Sequence, residues 1–550
     1  MGRWQQRSLR HRRARWSADD RDALDAAIGA LSADELRTFL RAYVEDLDEP
    51  ARTVMADALI ERAARGSSGW RPAVASKKIV GEVEKFVVAA QQVGHADPND
   101  IDTFLRQADR AYLAGDLATA RALYACLLPA IGNADIDLGQ HETVDEVLTV
   151  AVNDCAARYL VTVYCATPLG ERASALLAAL ETVEGLSYLG KPIAAMERVG
   201  SGPLPDLSKF LPQWVERLDA TQTPDREWES AHDHRLREAV ERSEGVAGLE
   251  RLARRTKRPT DVRKWCTALM NRAQWADALG ACDEAATLVT SPQCRGEFLD
   301  DAALAAQQLG RADVTERLEA AWHGAPSLVR LLRWVGSGSP GAALLKKRAA
   351  AGAKRCPPES PLLCGVLQLL GGNVPNAAAI LAAAPGLGWS HGGHAGHVLF
   401  ASLAWLLAGA PADSLRAVVA AVIQRPPYTT EIPDVALDDA GKAGDPPRLA
   451  TPPLVQLLED TKPAVTTETR AAVVRALRAA ATARVNGVLR ERRRRHYDHA
   501  ALLVACCVEI EAAGGSAKPG TQWATALQQR FSRYPAFQGA LREALQRVQP

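Results

Sequence analysis

Apolar residues recur along most of this chain at the three- and four-residue spacing of a single helix face. Two such stripes stand near the start, at Ala23–Leu31 and Leu36–Val44. Ser32 lies three residues before Glu35 between them, which is the form of a capping box at a helix start. The same spacing predicts one long helix from Thr143 to about Tyr164. No stretch alternates apolar and polar residues long enough to indicate a sheet, so the pattern predicts an all-α protein.

Clusters of glycine, proline and serine divide the helical pattern into segments. The longest of these breaks is rich in proline, glycine and aspartate and predicts a flexible linker. The predicted organisation has six parts: a basic N-terminal arm (1–16), a small N-terminal helical region (17–66), a first helical-repeat domain (77–230), a second helical-repeat domain (231–425), the linker (426–454) and a C-terminal helical domain (455–550).

Several helix pairs carry the small-residue pattern of tetratricopeptide repeats. In the clearest pair, Gly115 and Asp116 join two amphipathic runs, and Ala120 and Tyr124 follow at the expected spacing. Turns at Gly372 and Gly409 are 37 residues apart, close to the period of these repeats, whereas other intervals differ. The sequence therefore predicts an irregular solenoid of stacked antiparallel helix pairs. The alternative is a non-repetitive helical bundle with chance matches.

Composition narrows the class of protein further. Of 550 residues, 47% are hydrophobic and 24% charged with a net charge of +1, which excludes a disordered chain and a uniformly basic nucleic-acid coat. The apolar runs are about half as long as a membrane helix requires, and no secretory signal is apparent, so we expect a cytoplasmic protein without a membrane partner. The 53 arginines against 13 lysines suggest a GC-rich bacterial genome. Ten cysteines without a CxxC pair indicate reduced thiols.

Two clusters contain residue types suited to metal or catalytic chemistry. His391, His394 and His397 have imidazoles that could bind a transition metal, but their spacing does not suit one helix face and the intervening glycines favour a loop. The acidic run from Asp135 to Glu146 lacks the spacing of a calcium loop. Phosphate-binding and nucleophile-elbow motifs are absent from the sequence. We therefore predict no cofactor, no metal site and no enzymatic activity.

Two arginine clusters are local exceptions to the balanced charge. One is the arm with Arg10, Arg12 and Arg13, flanked by tryptophans, and the other is Arg492–Arg495. Clustered guanidinium groups neutralise phosphates, and neighbouring aromatic rings stack on unpaired bases. The plainer interpretation is a solvated tail and a helix face that pairs with acids of a neighbouring helix.

Part of the chain resembles a known group of proteins. The segment Gly388-Trp389-Ser390 with His394-Ala395-Gly396, and the segment Arg493–Tyr497 with Tyr534-Pro535-Ala536-Phe537, are similar to the helical portion of uncharacterised bacterial proteins that carry a SWIM zinc finger. The Cys-x-Cys and Cys-x-His zinc ligands of that family are absent here. The resemblance therefore implies a helical scaffold, and a role in a bacterial multi-gene conflict or antiviral defence system, without the zinc.

The sequence as a whole predicts a non-catalytic scaffold that binds a protein partner. The expected contact residues are Arg106, Arg110, Tyr112, Trp389 and His394, on inner helices of the pairs and near the Gly-rich segment. One alternative is a nucleic-acid-binding adaptor that uses the two arginine clusters. Another is a regulated substrate or effector that is cleaved or released at the linker 426–454.

Overall fold

The computed structural model describes residues 18–73, 78–141, 143–186, 188–221, 229–389, 391, 393–409, 416–424, 447–515 and 517–548. Within these ranges every regular element is a helix, apart from an isolated bridge between His95 and Asp137. The prediction of an all-α protein is confirmed. No helix in the described ranges is long and apolar enough to cross a membrane.

The chain divides into two compact units, Met1–Gly248 and Leu249–Pro550. The helices that lie in the first unit or cross its end are α1 (Ala18–Ala30), α2 (Ala33–Asp46), α3 (Glu49–Arg65), α4 (Lys78–Val93), α5 (Pro98–Ala114), α6 (Leu117–Gly132), α7 (Val152–Ala166), α8 (Leu169–Val183), α9 (Pro192–Val199), α10 (Leu207–Ala220) and α11 (Ala231–Thr256).

The second unit begins within α11, just after a break in its helical backbone at Gly245. Its further helices are α12 (Pro259–Asn271), α13 (Trp275–Leu288), α14 (Pro292–Gln308), α15 (Val314–Gly324), α16 (Leu328–Gly336), α17 (Ala342–Ala353), α18 (Pro361–Leu370), α19 (Val374–Ala382), α20 (Ala395–Ala408), α21 (Ala417–Ile423), α22 (Leu454–Thr461), α23 (Thr467–Arg490), α24 (Tyr497–Ala513), α25 (Ala517–Arg530) and α26 (Pro535–Gln546).

Local sequence signals set several helix ends. The Ser32 hydroxyl accepts from the Glu35 amide, and the Glu35 carboxylate accepts from the Ser32 amide at 2.8 Å, which completes the predicted capping box. Gly115 ends α5 with a φ of 87°, a conformation that favours glycine, and Asp116 caps α6. The helix pair predicted around this turn is therefore present.

One predicted helix is interrupted in the structure. Only a short 3-10 turn forms at Val144–Glu146, and α7 starts at Val152. The buried carboxylate of Asp102 on α5 accepts hydrogen bonds from the backbone amides of Thr149 and Val150 at 3.0 to 3.1 Å. These amides are held by a distant acid instead of a helical ladder, so the periodicity alone predicted too long a helix.

The two units also differ from the six segments predicted from the sequence. From α12 to α16, each helix packs on the next one along the chain, whereas α19 packs on α23 and α21 packs on α24. A single hydrophobic core runs from Ala303 to Ala544. Residues 455–550 consequently share a core with the preceding helices and do not form a separate domain, because contacts distant in sequence join them.

Candidate partner-binding surfaces

Arg106 and Tyr112, two of the predicted contact residues, lie within the packing of the first unit. Arg106 pairs with Asp57 of α3 at 2.8 Å and with Asp102 at 3.5 Å. The Tyr112 side chain is 7% exposed, and its hydroxyl donates to the carbonyl of Val199 at 3.2 Å. These contacts tie helices together. The buried Tyr112 offers no free surface to a partner, which corrects the prediction for it, whereas Arg106 keeps a partly exposed side chain and stays a prediction.

The same region contains a buried polar network. Arg158 on α7 pairs with Asp109 on α5 at 2.7 Å and with Glu61 on α3 at 3.0 Å, and the Tyr124 hydroxyl donates to Asp109. Burial raises the pKa of Asp109, against the lowering influence of the Arg158 charge. Each charged group has a partner, which is the arrangement of a structural network that anchors α3. Arg110, the neighbouring predicted residue, is partly exposed.

Trp389 and His394 lie at the loop before α20 in the second unit, where Trp389 is buried and His394 is partly exposed. Trp389 is 1% exposed, its indole N–H donates to the Pro385 carbonyl at 3.0 Å, and the Arg484 guanidinium lies over its ring at 5.6 Å. The His394 Nδ1 accepts from the amide of Gly396 at 2.9 Å and thereby caps α20. These contacts hold the loop before α20 against the core. They correct the prediction that Trp389 binds a partner, whereas that of the partly exposed His394 stays a prediction.

The hydrogen bonds of the His394 ring determine its protonation state. Its Nδ1 acts as an acceptor and its Nε2 lies 3.0 Å from the Pro385 carbonyl, an arrangement that requires the neutral ring with the proton on Nε2. Burial lowers the pKa of His394. No group of three or more His, Cys, Asp or Glu side chains positioned for a metal ion occurs among the described residues.

A cleft of about 550 Å³ in the second unit has a mostly apolar lining that also includes four charged side chains. Asp300, Asp301, Arg333 and Arg448 line it. Asp300 pairs with Arg330 at 2.8 Å, and Asp301 pairs with Arg263. Burial raises the pKa of Asp301 to about 6, against the Arg263 charge, and also raises that of Asp300. Because both acids are paired with arginines, their arrangement is that of an ion-pair network joining α12, α14 and α16.

The exposed apolar side chains concentrate where the sequence analysis had placed no contact residue. We use the term N-terminal apolar face for Leu24, Ile28, Leu31, Phe39, Tyr43 and Val54, each at least 42% exposed. The aromatic pair Phe39 and Tyr43 is 64% and 50% exposed, with stacked rings 6.1 Å apart. In the described part of α1 to α3, Ala64 is the single buried residue.

The helical periodicity of the sequence marks part of this face as an apolar stripe of α2. Leu36, Leu40 and Val44 lie between the fully exposed positions of α2 and are partly buried, whereas Phe39 and Tyr43 continue the same apolar stripe into solvent. An apolar stripe on a helix indicates that another surface packs against it. The sequence alone does not show which surface covers this stripe.

The second arginine cluster lies on the surface at a corner between helices. Arg492–Arg495 are exposed in the turn between α23 and α24, and Arg492 has a φ of 51°. In the described part of the chain none of these four pairs with a carboxylate, in contrast to the paired helix face considered from the sequence. Arg530 and Arg533 are exposed in the neighbouring turn between α25 and α26, and the sequence analysis did not include them.

Two predictions lie outside the described residues. These are Arg10, Arg12 and Arg13 of the basic arm, and the larger part of the linker 426–454, of which residues 447–454 are described. Comparison with known proteins adds no assignment to the geometry of these surfaces. No protein-family model matches this chain, and no curated protein sequence matches it.

Proposed function

We propose that this protein is a non-catalytic helical scaffold whose N-terminal apolar face binds a protein partner. The observation that carries the proposal is the clustering of exposed apolar side chains. Eight of the thirteen large apolar side chains that are exposed in the described residues lie between Leu24 and Trp70. Single exposed apolar residues are normal on soluble proteins, whereas a concentration of them is typical of an interaction surface.

The charge around this face indicates the chemistry of the partner. Residues 18–50 contain ten acidic residues and three arginines, a net charge of −7 in a chain whose total is +1. Arg37 and Asp34 form a pair at 2.5 Å, and both side chains are largely exposed. An apolar face bordered by carboxylates complements an amphipathic helix with basic flanks, in which the apolar side supplies affinity and the charges supply orientation.

The attachment of this region to the rest of the first unit supports a scaffold role. Asp57 and Glu61 on α3 pair with Arg106 and Arg158, and Arg65 donates to the carbonyl of Val199 at 2.7 Å. These contacts use one side of α3 and leave α1 and α2 exposed. The face is thus joined to the first unit through α3, on which α2 also packs.

The helix order is also consistent with the proposed repeat architecture. Consecutive helices pack on one another from α5 to α8 and from α12 to α16, as stacked helix pairs do. The tetratricopeptide-like solenoid remains part of the proposal for these two stretches. The C-terminal helices, in which α24 packs on α21 and α26, follow a bundle pattern.

The decisive experiment removes the aromatic pair and compares it with a matched control. Affinity purification of the full-length protein from its host, with quantitative mass spectrometry, should recover a stoichiometric partner that is lost in the Phe39→Ser, Tyr43→Ser variant. The control is Val93→Ser, Tyr188→Ser, whose residues are 77% and 66% exposed outside the face. Both variants should keep the melting temperature of the parent, since neither removes a buried contact.

Two outcomes would contradict the proposal. One is an identical set of partners for both variants. The other is a parent protein that is dimeric by light scattering and becomes monomeric only in the aromatic variant, because the face would then bind a second copy of the chain. The identity of the recovered partner also tests the role in bacterial defence, which rests on the sequence resemblance alone.

A further inference from the structure

The folding of the C-terminal helices assembles a larger basic surface than the sequence shows. Ring contacts join the two corners concerned: Tyr497 lies 6.1 Å from Phe537, and Phe537 lies 6.4 Å from Phe531. The end of α23, the start of α24, the end of α25 and the start of α26 therefore meet. We define the C-terminal arginine patch as the exposed residues Arg490, Arg492, Arg493, Arg494, Arg495, Arg530 and Arg533.

We propose that the C-terminal arginine patch binds the phosphate backbone of a single-stranded polynucleotide. The patch contains seven guanidinium groups, and the exposed acids next to them in sequence are Glu491 and Asp498. Guanidinium groups donate paired hydrogen bonds to phosphate oxygens and displace the counterions of a polyanion. This surface is independent of the N-terminal apolar face, which belongs to the other unit.

The unpaired state of these arginines distinguishes them from others in the chain. Arg478, on the same helix as Arg490, pairs with Glu511 at 2.5 Å, and Arg254 pairs with Glu284 at 2.7 Å. Within the described ranges no member of the patch forms an ion pair with a carboxylate. Arg490 and Arg530 are the last residues of α23 and α25, and attraction to the helix C-terminus explains an arginine at these positions. Arg492–Arg495 follow the end of α23, so this attraction does not explain their presence.

The aromatic residues at the patch favour a ligand with bases. The Arg533 guanidinium lies 5.2 Å from the ring centre of Tyr534, and that of Arg530 lies 5.2 Å from the ring centre of Phe531. Tyr534 is partly exposed, and we expect the exposed part of this arginine and aromatic pair to contact an unstacked base. A duplex keeps its bases stacked internally and gains nothing from such a platform.

Two other anionic ligands fit the surface less well. A lipid surface is bound by arginines together with exposed apolar side chains that enter the membrane, and none of the exposed large apolar residues in the described chain lies at the patch. A small phosphorylated molecule requires a concave site, and the clefts in the described residues at Glu297, Arg311, Asp301 and Trp405 are lined by none of the patch arginines. The patch is spread over four helix ends.

Fluorescence anisotropy of the full chain tests the proposal. The probes are labelled single-stranded RNA and single-stranded DNA of about 12 nucleotides, and a DNA duplex of the same length, titrated from about 50 to 200 mM salt. We expect both single strands to bind more tightly than the duplex. Their relative affinities then identify which of the two single-stranded ligands the patch prefers.

The central variant changes Arg492, Arg493, Arg494 and Arg495 to glutamine. Each phosphate contact to a single strand contributes about −0.7 to the slope of log affinity against log salt, so losing four should reduce the slope by about 3. We expect binding at low salt to weaken about tenfold or more. The melting temperature should not change, because these side chains are exposed and make no ion pair.

Two further variants make the test specific to the assembled surface. Arg530→Gln, Arg533→Gln should reduce the slope by about 1, although these residues are distant in sequence from the main cluster. The matched control Arg21→Gln, Arg37→Gln, Arg41→Gln, Arg62→Gln removes four exposed arginines from the first unit and should leave binding unchanged.

The proposal is overturned if the full chain does not bind either single strand at about 50 mM salt. It is also overturned if the quadruple variant keeps the parental salt slope, if the control variant loses as much affinity, or if the duplex binds best. Loss of all binding on changing Arg10, Arg12 and Arg13 to glutamine, with the patch intact, would assign the activity to the basic arm instead.

Discussion

Replacing Glu238 by glutamine should loosen the start of α9. Lys191 at the N-cap of this helix provides no side-chain cap. Instead, the two carboxylate oxygens of Glu238, which is 5% exposed, accept from the amides of Ile193 at 3.0 Å and Ala194 at 2.8 Å. A glutamine has one acceptor oxygen, so its NH2 group would face one of these two donors.

The size of the effect follows from these two bonds. A hydrogen bond to a charged group contributes about 1.5 to 3 kcal/mol, and glutamine forfeits one bond and weakens the other. Part of this loss is offset because burial raises the pKa of Glu238, which shows that keeping the charge in this place is costly. We therefore expect a net loss of about 2 kcal/mol for Glu238→Gln, and about 4 kcal/mol for Glu238→Ala, which leaves both amides without an acceptor.

Hydrogen exchange followed by mass spectrometry measures this change locally. A loss of about 2 kcal/mol in the stability of α9 raises the exchange of amides in Pro192–Val199 about 30-fold. The control is Glu250→Gln, which removes a partner of Arg254 from the exposed part of α11 and should leave α9 unchanged. Exchange in α9 at the parental rate in Glu238→Gln would refute the reasoning, since desolvation of the charge would then cancel both hydrogen bonds.

Three further predictions concern the second unit and use thermal or denaturant unfolding. The folded pKa of Asp301 is raised to about 6, so its charged form is disfavoured in the folded protein. As the pH rises from about 4 to 6, the parent should therefore lose stability relative to Asp301→Asn, by at most about 1.4 kcal/mol per pH unit. Equal slopes of unfolding free energy against pH in the two proteins would contradict this. Gly386→Ala should reduce the free energy of unfolding by about 1 to 3 kcal/mol, because its Cβ would overlap the Ala483 carbonyl. Gly280→Ala, which has open space around it in a helix, should raise the free energy of unfolding by about 0.5 to 1 kcal/mol. A change of the same sign in both variants would refute the close approach at Gly386. The pKa of His394 is lowered in the folded protein, so its protonation opposes folding. The parent should therefore lose stability below about pH 6.5 relative to His394→Asn, whose side chain caps the helix without titrating. The same dependence of stability on pH in the variant and the parent would contradict this prediction.

The buried acids show why part of the fold escapes prediction from sequence. Glu238 caps α9 across about 45 residues, and Glu509 does the same for α21, where its Oε2 accepts from the amides of Val418 at 3.0 Å and Val419 at 2.8 Å. In the sequence both look like ordinary polar positions on a helix. Which amides they meet depends on how the helices cross, and a local pattern contains no information about that crossing.

The candidate surfaces were predictable to different degrees for the same reason. Arg492–Arg495 form a cluster in the sequence, and the structure places them on the surface. Arg530 and Arg533 lie near them only because aromatic packing brings two helix turns together. Tyr112 and Trp389 were predicted as contact residues from their places on an inner helix of a pair and near the Gly-rich segment, yet both fill the core. An aromatic ring serves either purpose, and only its surroundings decide between them.

The sequence by itself determined that this protein is helical, where many of its helices begin and end, and that its charge is balanced overall and concentrated locally. Periodicity, capping residues such as Ser32 and turn residues such as Gly115 act over a few positions, so their effects are visible along the chain. The tertiary structure alone decided which apolar stripes are covered and which, like that of Phe39 and Tyr43, remain exposed. It also decided which arginines find carboxylates, because burial and pairing depend on neighbours that are distant in sequence.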